Sequence, residues 1–279
     1  YSLFNKIIDF EKKVKNLING AISGGISRTF VAPLERLKTI NQVSVESNKN
    51  SILQNLRNIW KTEGIKGMFR GNGINCSRIV PKSGIQWMSF NWASKYTESK
   101  FGAGAVSGLI TATSLYPMET IRTRLSVQVN KSNYNGIFDC GKKIVKRHGF
   151  QGLYRGLDIC LIGVVPLYAI NFGLFHYTKQ FLSRYVENTE INNMISGNIS
   201  MLGAIMVAFP SDLIKKQMQV RGDYNIIKHT NWWECTKYIW KNQGYRGFYR
   251  GLLVDLLKTC PANGMYFLCI GLLEKYIIR

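Results

Sequence analysis

Three acid–base pairs recur in the chain at one spacing. Glu35 and Lys38, Glu119 and Arg122, and Asp212 and Lys215 stand two and five residues after Pro33, Pro117 and Pro210 respectively. An acid and a base three residues apart share a helix face, and such a pair adds about 0.2–0.5 kcal/mol to its own helix. A second arrangement is open to the same residues. If the three helices converge at one end, each acid meets the base of the neighbouring copy: Glu35 with Arg122, Glu119 with Lys215, Asp212 with Lys38. The first arrangement only firms up each helix, whereas the second closes a ring of charge. Arg28 is the other group with chemical potential, two turns ahead of Glu35 on the same face. An unpaired arginine deep in an apolar span is costly and marks a place for an anion.

The elements that must position these groups form a threefold repeat. The three prolines are 84 and 93 residues apart, and an aromatic-Arg-Gly follows each: Phe69-Arg70-Gly71, Tyr154-Arg155-Gly156, Tyr249-Arg250-Gly251. Pro81, Pro166 and Pro261 each lie eleven residues beyond that arginine, so the two series use all six prolines. Residues 101–118, 159–175, 191–211 and 259–273 carry no Asp, Glu, Lys or Arg, close to the ~20 residues that cross a bilayer as a helix. Gly, Ser, Thr and Asn are scattered through them, as suits helices with lipid on one side and a watery cavity on the other.

Each repeat reads as long helix, short surface helix, long helix. The first span is placed at 16–42, with Pro33 expected to kink it. The short helices are placed at 52–61, 137–147 and 232–242, stopped by Gly64, Gly149 and Gly244. At 98–100 a tight turn and a partly excised loop fit equally well. The expected fold is an all-α membrane protein of six transmembrane helices and three short surface helices in a pseudo-threefold barrel. Its repeats are placed at 1–100, 101–187 and 188–279, together one domain.

Bulk composition hides this. The chain has 279 residues, 46% hydrophobic and 19% charged, with a mean hydropathy of −0.08. Its net charge of +21 has three readings. Nucleic-acid binding is disfavoured, because Lys and Arg are spread over all three repeats and not interleaved with aromatics on one surface. Attraction to anionic lipid and an anionic substrate in a basic cavity are compatible with each other. The six cysteines have no metal-ligand spacing, so no metal site is expected. No signal or transit peptide is visible, and a start at Tyr1 leaves room for a preceding segment.

The pattern Pro-x-[Asp/Glu]-x-x-[Lys/Arg], followed about thirty residues later by aromatic-Arg-Gly and present in three copies, resembles the mitochondrial carrier family over nearly the whole chain. The resemblance implies a multi-pass antiporter of the inner mitochondrial membrane, not an enzyme, for which a monomer suffices. It makes the ring a matrix-side gate, with Gln42 and Gln219 one turn beyond Lys38 and Lys215 as braces, a role Ser126 cannot fill equally. Ion pairs suit a gate because their desolvation cost roughly matches their attraction. The family's cytoplasmic motif is eroded here: only Lys179 keeps its base, and no acid stands in an acid position.

Substrate contact points carried over from the family fall on Arg78, Gly163-Val164 and Lys258, with Arg28 as a third cation and Asn75 and Asn171 lining the cavity. Two cations can hold phosphates, while a small apolar surface admits a flat adenine. The resemblance also implies cardiolipin phosphates at Gly71, Gly156 and Gly251, where free N–H groups at helix starts attract anions. Ser27-Arg28-Thr29, Phe69-Arg70-Gly71-Asn72-Gly73 and Tyr116-Pro117-Met118-Glu119 look most like the ATP-Mg/phosphate carriers. The substrates expected are adenine nucleotides, with Mg possible as cargo, exchanged for phosphate or another nucleotide; no resident cofactor is expected. A coenzyme A carrier and a carrier-fold scaffold with little transport are the alternatives.

Overall fold

A computed structural model describes residues 18–44, 51–97, 100–128, 133–186, 188–222 and 231–277. The start of the first span and most of the link at 98–100 therefore lie outside the described residues. The described residues are helical throughout, without strands. In chain order the helices are α1 (18–30), α2 (Ala32–Val43), α3 (Ile52–Met68), α4 (Asn72–Ser77), α5 (Ile79–Ala93), α6 (Lys100–Val127), α7 (Ile137–His148), α8 (Leu157–Leu182), α9 (Thr189–Val220), α10 (Trp232–Gly247) and α11 (Leu252–Ile277). The order long, short, long occurs three times: α1–α2, α3, α4–α5; then α6, α7, α8; then α9, α10, α11.

The prolines act unequally. Pro117 and Pro210 lie inside the unbroken α6 and α9, whereas the first span is interrupted at Val31 (φ −92°, ψ 2°), two residues before Pro33. Proline disfavours helical backbone in the residue ahead of it and has no N–H to offer the preceding turn. The second span is divided more mildly at Arg78, three residues before Pro81, where the backbone stays near helical (φ −75°, ψ −13°).

Gly64, Gly149 and Gly244 share one conformation, with φ of 66°, 66° and 62° and an extended ψ. L-residues rarely adopt it. It turns the chain at the end of each surface helix, and in the first and third repeats a further helical stretch runs on to Met68 and Gly247. On α7, Asp139 accepts from Lys143 (2.8 Å) and from the Asn135 N–H (2.9 Å), which hold its carboxyl below the usual carboxylate range.

Three helices are long and apolar enough to cross a membrane by length and composition: Phe150–Leu182, Thr189–Val220 and Leu252–Leu273. Spans α1–α2, α4–α5 and α6 take the corresponding places in the repeat with more Gly, Ser and Thr. Ile162, Val165, Phe172, Val207, Phe267 and Leu268 are all exposed, an apolar exterior that suits lipid and not water.

The three odd spans converge at their C-terminal ends. Val43, Val127 and Val220, each ten residues beyond its proline, are buried against one another. The aromatic-Arg-Gly arginines lock this convergence by reaching the last carbonyls of the next odd span: Arg70 to Gln128 (3.1 Å), Arg155 to Arg221 (3.1 Å), and Arg250 to Ser44. A helix C-terminus has orphan carbonyls that a cation satisfies well. The aromatic residue of the same motif stacks on the residue ahead of the proline in two repeats, Tyr154 on Tyr116 and Tyr249 on Phe209.

Gly71, Gly156 and Gly251 stand at φ of 85°, 82° and 88°, each packed on the next odd span. A Cβ on Gly156 comes within 2.9 Å of the Met218 Cβ and 3.3 Å of the Lys215 carbonyl. Gly104 in α6, by contrast, has helical backbone and open space around it. Gly156→Ala is therefore expected to lower the melting temperature of the detergent-purified protein, at a cost of about 1–3 kcal/mol. Gly104→Ala should leave it unchanged or raised, and differential scanning fluorimetry reads both.

Candidate functional site

Immediately before the valine cluster lie the acid–base pairs. Arg122 meets Glu35 at 2.7 Å, Lys215 meets Glu119 at 3.1 Å and Lys38 meets Asp212 at 2.9 Å. Every one of these contacts joins two different repeats. The in-helix alternative occurs once, between Lys215 and Asp212 at 3.0 Å. Gln42 donates to Asp212 at 3.0 Å, reinforcing that pair. Gln219 departs from the brace expected of it: its carbonyl oxygen accepts from Thr123 (2.7 Å) and Lys216 (3.4 Å). Lys216, with no counterpart base in the other two repeats, approaches Glu119 at 3.0 Å and takes up that role. The Ser126 hydroxyl turns away to the Arg70 carbonyl (3.5 Å).

The even spans add a second layer. Arg78, Gly163 and Lys258 each stand seven residues beyond the glycine that opens their span. Arg78 reaches Glu119 at 3.6 Å, and Lys258 pairs with Glu35. Gly163 packs so closely on α9 that a Cβ there falls 2.7 Å from the Ser211 Cβ, the approach that small residues permit between membrane helices. Asp255, buried on α11, links the layers by meeting Lys38 at 3.0 Å and Lys258 at 2.8 Å. The sequence reading missed Asp255. Its signal was an acid three residues before Lys258, the same spacing as in the ring pairs.

A cavity of about 280 Å³ opens over this layer. Gly163, Val164 and Leu167 form an apolar wall, with Lys38, Asp212 and Lys258 at its charged floor. Arg28 donates to the Asn75 carbonyl at 2.6 Å, which fixes the guanidinium against the second span beside its break. Asn75 itself is buried in the small crevice with Glu35 and Arg122, nearer the ring than the cavity wall. Asn171 is half-buried on α8, two turns past Val164, and does not line the 280 Å³ cavity.

Around ring and cavity the described side chains include eight cations, Arg28, Lys38, Arg78, Lys82, Arg122, Lys215, Lys216 and Lys258, against four carboxylates, Glu35, Glu119, Asp212 and Asp255. The excess of four positive charges sits among membrane-spanning helices, where uncompensated charge is expensive. The cavity itself is lined by Lys38, Lys215 and Lys258 against Asp212 and Asp255, beside the apolar wall, whereas Arg28, Arg78 and Lys82 lie outside its lining. At the opposite end Trp92 and Tyr177 are exposed, and the Lys179 ammonium lies over the Phe175 ring at 6.0 Å, with no carboxylate partner among the described residues.

Glu35 has two cationic partners from different repeats, so either can neutralise it alone. Arg122→Gln and Lys258→Gln are each expected to lower the melting temperature modestly. The double substitution should lose more than the two single losses together, because it strands a buried carboxylate, at about 3–5 kcal/mol. A thermal double-mutant cycle measures the coupling.

Sequence comparison agrees with this geometry. The profile of the mitochondrial carrier protein family matches residues 11–101, 95–186 and 187–279. The chain is 32% identical to the mitochondrial adenine nucleotide transporter ADNT1 of Arabidopsis thaliana, across 96% of this chain and 88% of that protein. It is 32% identical to the adenine nucleotide transporter BT1, chloroplastic/mitochondrial, of the same plant, across 95% and 71%. Identity is 30% to the mitochondrial adenyl nucleotide antiporter SLC25A24 of Danio rerio, covering 89% of this chain and 55% of that longer protein. Three helical repeats joined by inter-repeat ion pairs, each matched by the family profile, place this chain in the mitochondrial carrier protein family.

Proposed function

We propose that this protein is an antiporter that exchanges adenine nucleotides with phosphate or another nucleotide by alternating access, in the inner mitochondrial membrane. The observation that carries the reading is the excess of cations around ring and cavity together, three of which, Lys38, Lys215 and Lys258, line the cavity beside the apolar wall of Gly163 and Val164. Phosphates answer the cations, and the flat base answers the wall. Relatives named as adenine nucleotide transporters and antiporters, at 30–32% identity, support the same substrate class.

The ring is the matrix-side gate in this reading, closed in the present conformation, so the cavity faces the other side. Phosphates arriving at Arg78 and Lys258 compete with Glu119 and Glu35 for them, which ties occupancy of the cavity to the strength of the ring. Arg28 is a third phosphate ligand, and Asn171 is reached by the distal part of the substrate. Mg travels with the nucleotide when it travels at all. Cardiolipin phosphates sit at the helix starts opened by Gly71, Gly156 and Gly251, although tight packing on the next odd span already requires glycine there. The exposed end around Lys179 closes on weak, non-ionic contacts.

Labelled ATP, with and without Mg, offered to liposomes holding the purified protein tests the reading. Uptake is expected only when the liposomes contain ADP or phosphate, and Arg78→Ala should abolish it. Uptake driven by internal coenzyme A alone would move the substrate to that cofactor. No uptake under any loading would make the protein a carrier-fold scaffold.

A further inference from the structure

Most cations of the site already have carboxylates. Lys38, Arg122 and Lys215 are in the ring, Lys216 and Arg78 are on Glu119, and Lys258 is on Glu35 and Asp255. Arg28 and Lys82 differ. Among the described residues Arg28 makes no ion pair and spends its guanidinium on the Asn75 carbonyl at 2.6 Å. The Lys82 side chain has neither an ion pair nor a hydrogen bond among the described residues, and it is exposed. Its backbone N–H donates to the Arg78 carbonyl at 3.0 Å, so it stands one turn on from Arg78 on the same helix face, about 6 Å farther from the ring. Arg28 is held at Asn75, about one turn ahead of Arg78, so the three cations are strung along about two turns of the second span. Three positive charges share one carboxylate, Glu119 at 3.6 Å from Arg78, and an anion among them offsets the remaining excess.

We propose that Lys82, with Arg28 and Arg78, forms a subsite for the outermost phosphate of a nucleoside polyphosphate, while Lys258 and the Gly163–Val164 wall take the inner phosphate and the base. The inference rests on the nucleotide reading above. A terminal phosphate carries the most charge and three acceptor oxygens, and it extends farthest from the base. A phosphate at Arg78 or Lys258 must displace Glu119 or Glu35, whereas Lys82 has no carboxylate to give up. Lys82 therefore sets how strongly the carrier prefers a long phosphate chain over a short one.

The test uses the whole chain in liposomes loaded with ADP, measuring how unlabelled AMP, ADP and ATP inhibit uptake of labelled ATP. Lys82→Gln should raise the half-inhibition concentration of ATP about tenfold more than that of AMP, the worth of one charge-assisted hydrogen bond. Lys82→Arg should restore the preference. An equal change for AMP and ATP, or none, overturns the subsite while leaving nucleotide exchange intact. If Lys82→Gln transports too slowly to assay, thermal stabilisation of the detergent-purified variant by AMP and by ATP reads the same ratio, and an unchanged ratio overturns the subsite. Absence of exchange by the unsubstituted protein overturns the nucleotide reading and the subsite with it.

Discussion

Three helix ends brought to one axis impose the constraint on which the rest depends. Once the ends of α2, α6 and α9 meet, Glu35, Glu119 and Asp212 lose water, and each must find a base on a neighbour. A buried carboxylate that loses its partner costs several kcal/mol. No repeat can satisfy its own acid fully, so the repeats need one another. Val43, Val127 and Val220 fill the axis beyond the charges, while Arg70, Arg155 and Arg250 tie each odd span to the even span of the preceding repeat. Ionic pairing, apolar packing and carbonyl capping thus act at one end of the molecule.

Against this threefold frame the departures from symmetry carry the selectivity in the proposed exchange. Seven residues past Gly71, Gly156 and Gly251 the side chains are Arg78, Gly163 and Lys258. Two of these offer cations, and the third offers a surface flat enough for a ring system. Four residues past the same glycines they are Asn75, Cys160 and Asp255, and only Asp255 joins the ion network. In the proposed exchange the same asymmetry couples binding to closure, because Arg78 and Lys258 serve the ring acids until an anion draws them away.

Much of this was legible in the chain. The acid–base spacing left in-helix and inter-repeat pairing open, with the family resemblance favouring the inter-repeat partners, and the glycines at 64, 149 and 244 marked the ends of the surface helices. What was not legible depends on contacts between distant segments. Asp255 looked like one acid near the start of a span, and only packing of α11 against α2 brings it to Lys38. Lys216, not Gln219, reaches Glu119, an outcome of side-chain reach that spacing cannot rank. The first span breaks at Val31 while Pro117 and Pro210 leave their helices unbroken, so the presence of proline alone does not fix the outcome.

Accessibility of Cys160 tests the central claim most directly, since it lines the cavity on the side of the ring that faces away from the valine cluster. With the other five cysteines replaced by alanine, the protein is placed in vesicles of fixed orientation and exposed to a membrane-impermeant thiol reagent from each side in turn. In the absence of substrate, the account predicts labelling only from the side opposite the ring, slowed by ATP. Labelling only from the ring side, or labelling that ATP does not slow, would contradict a cavity closed at the ring and shaped for a nucleotide.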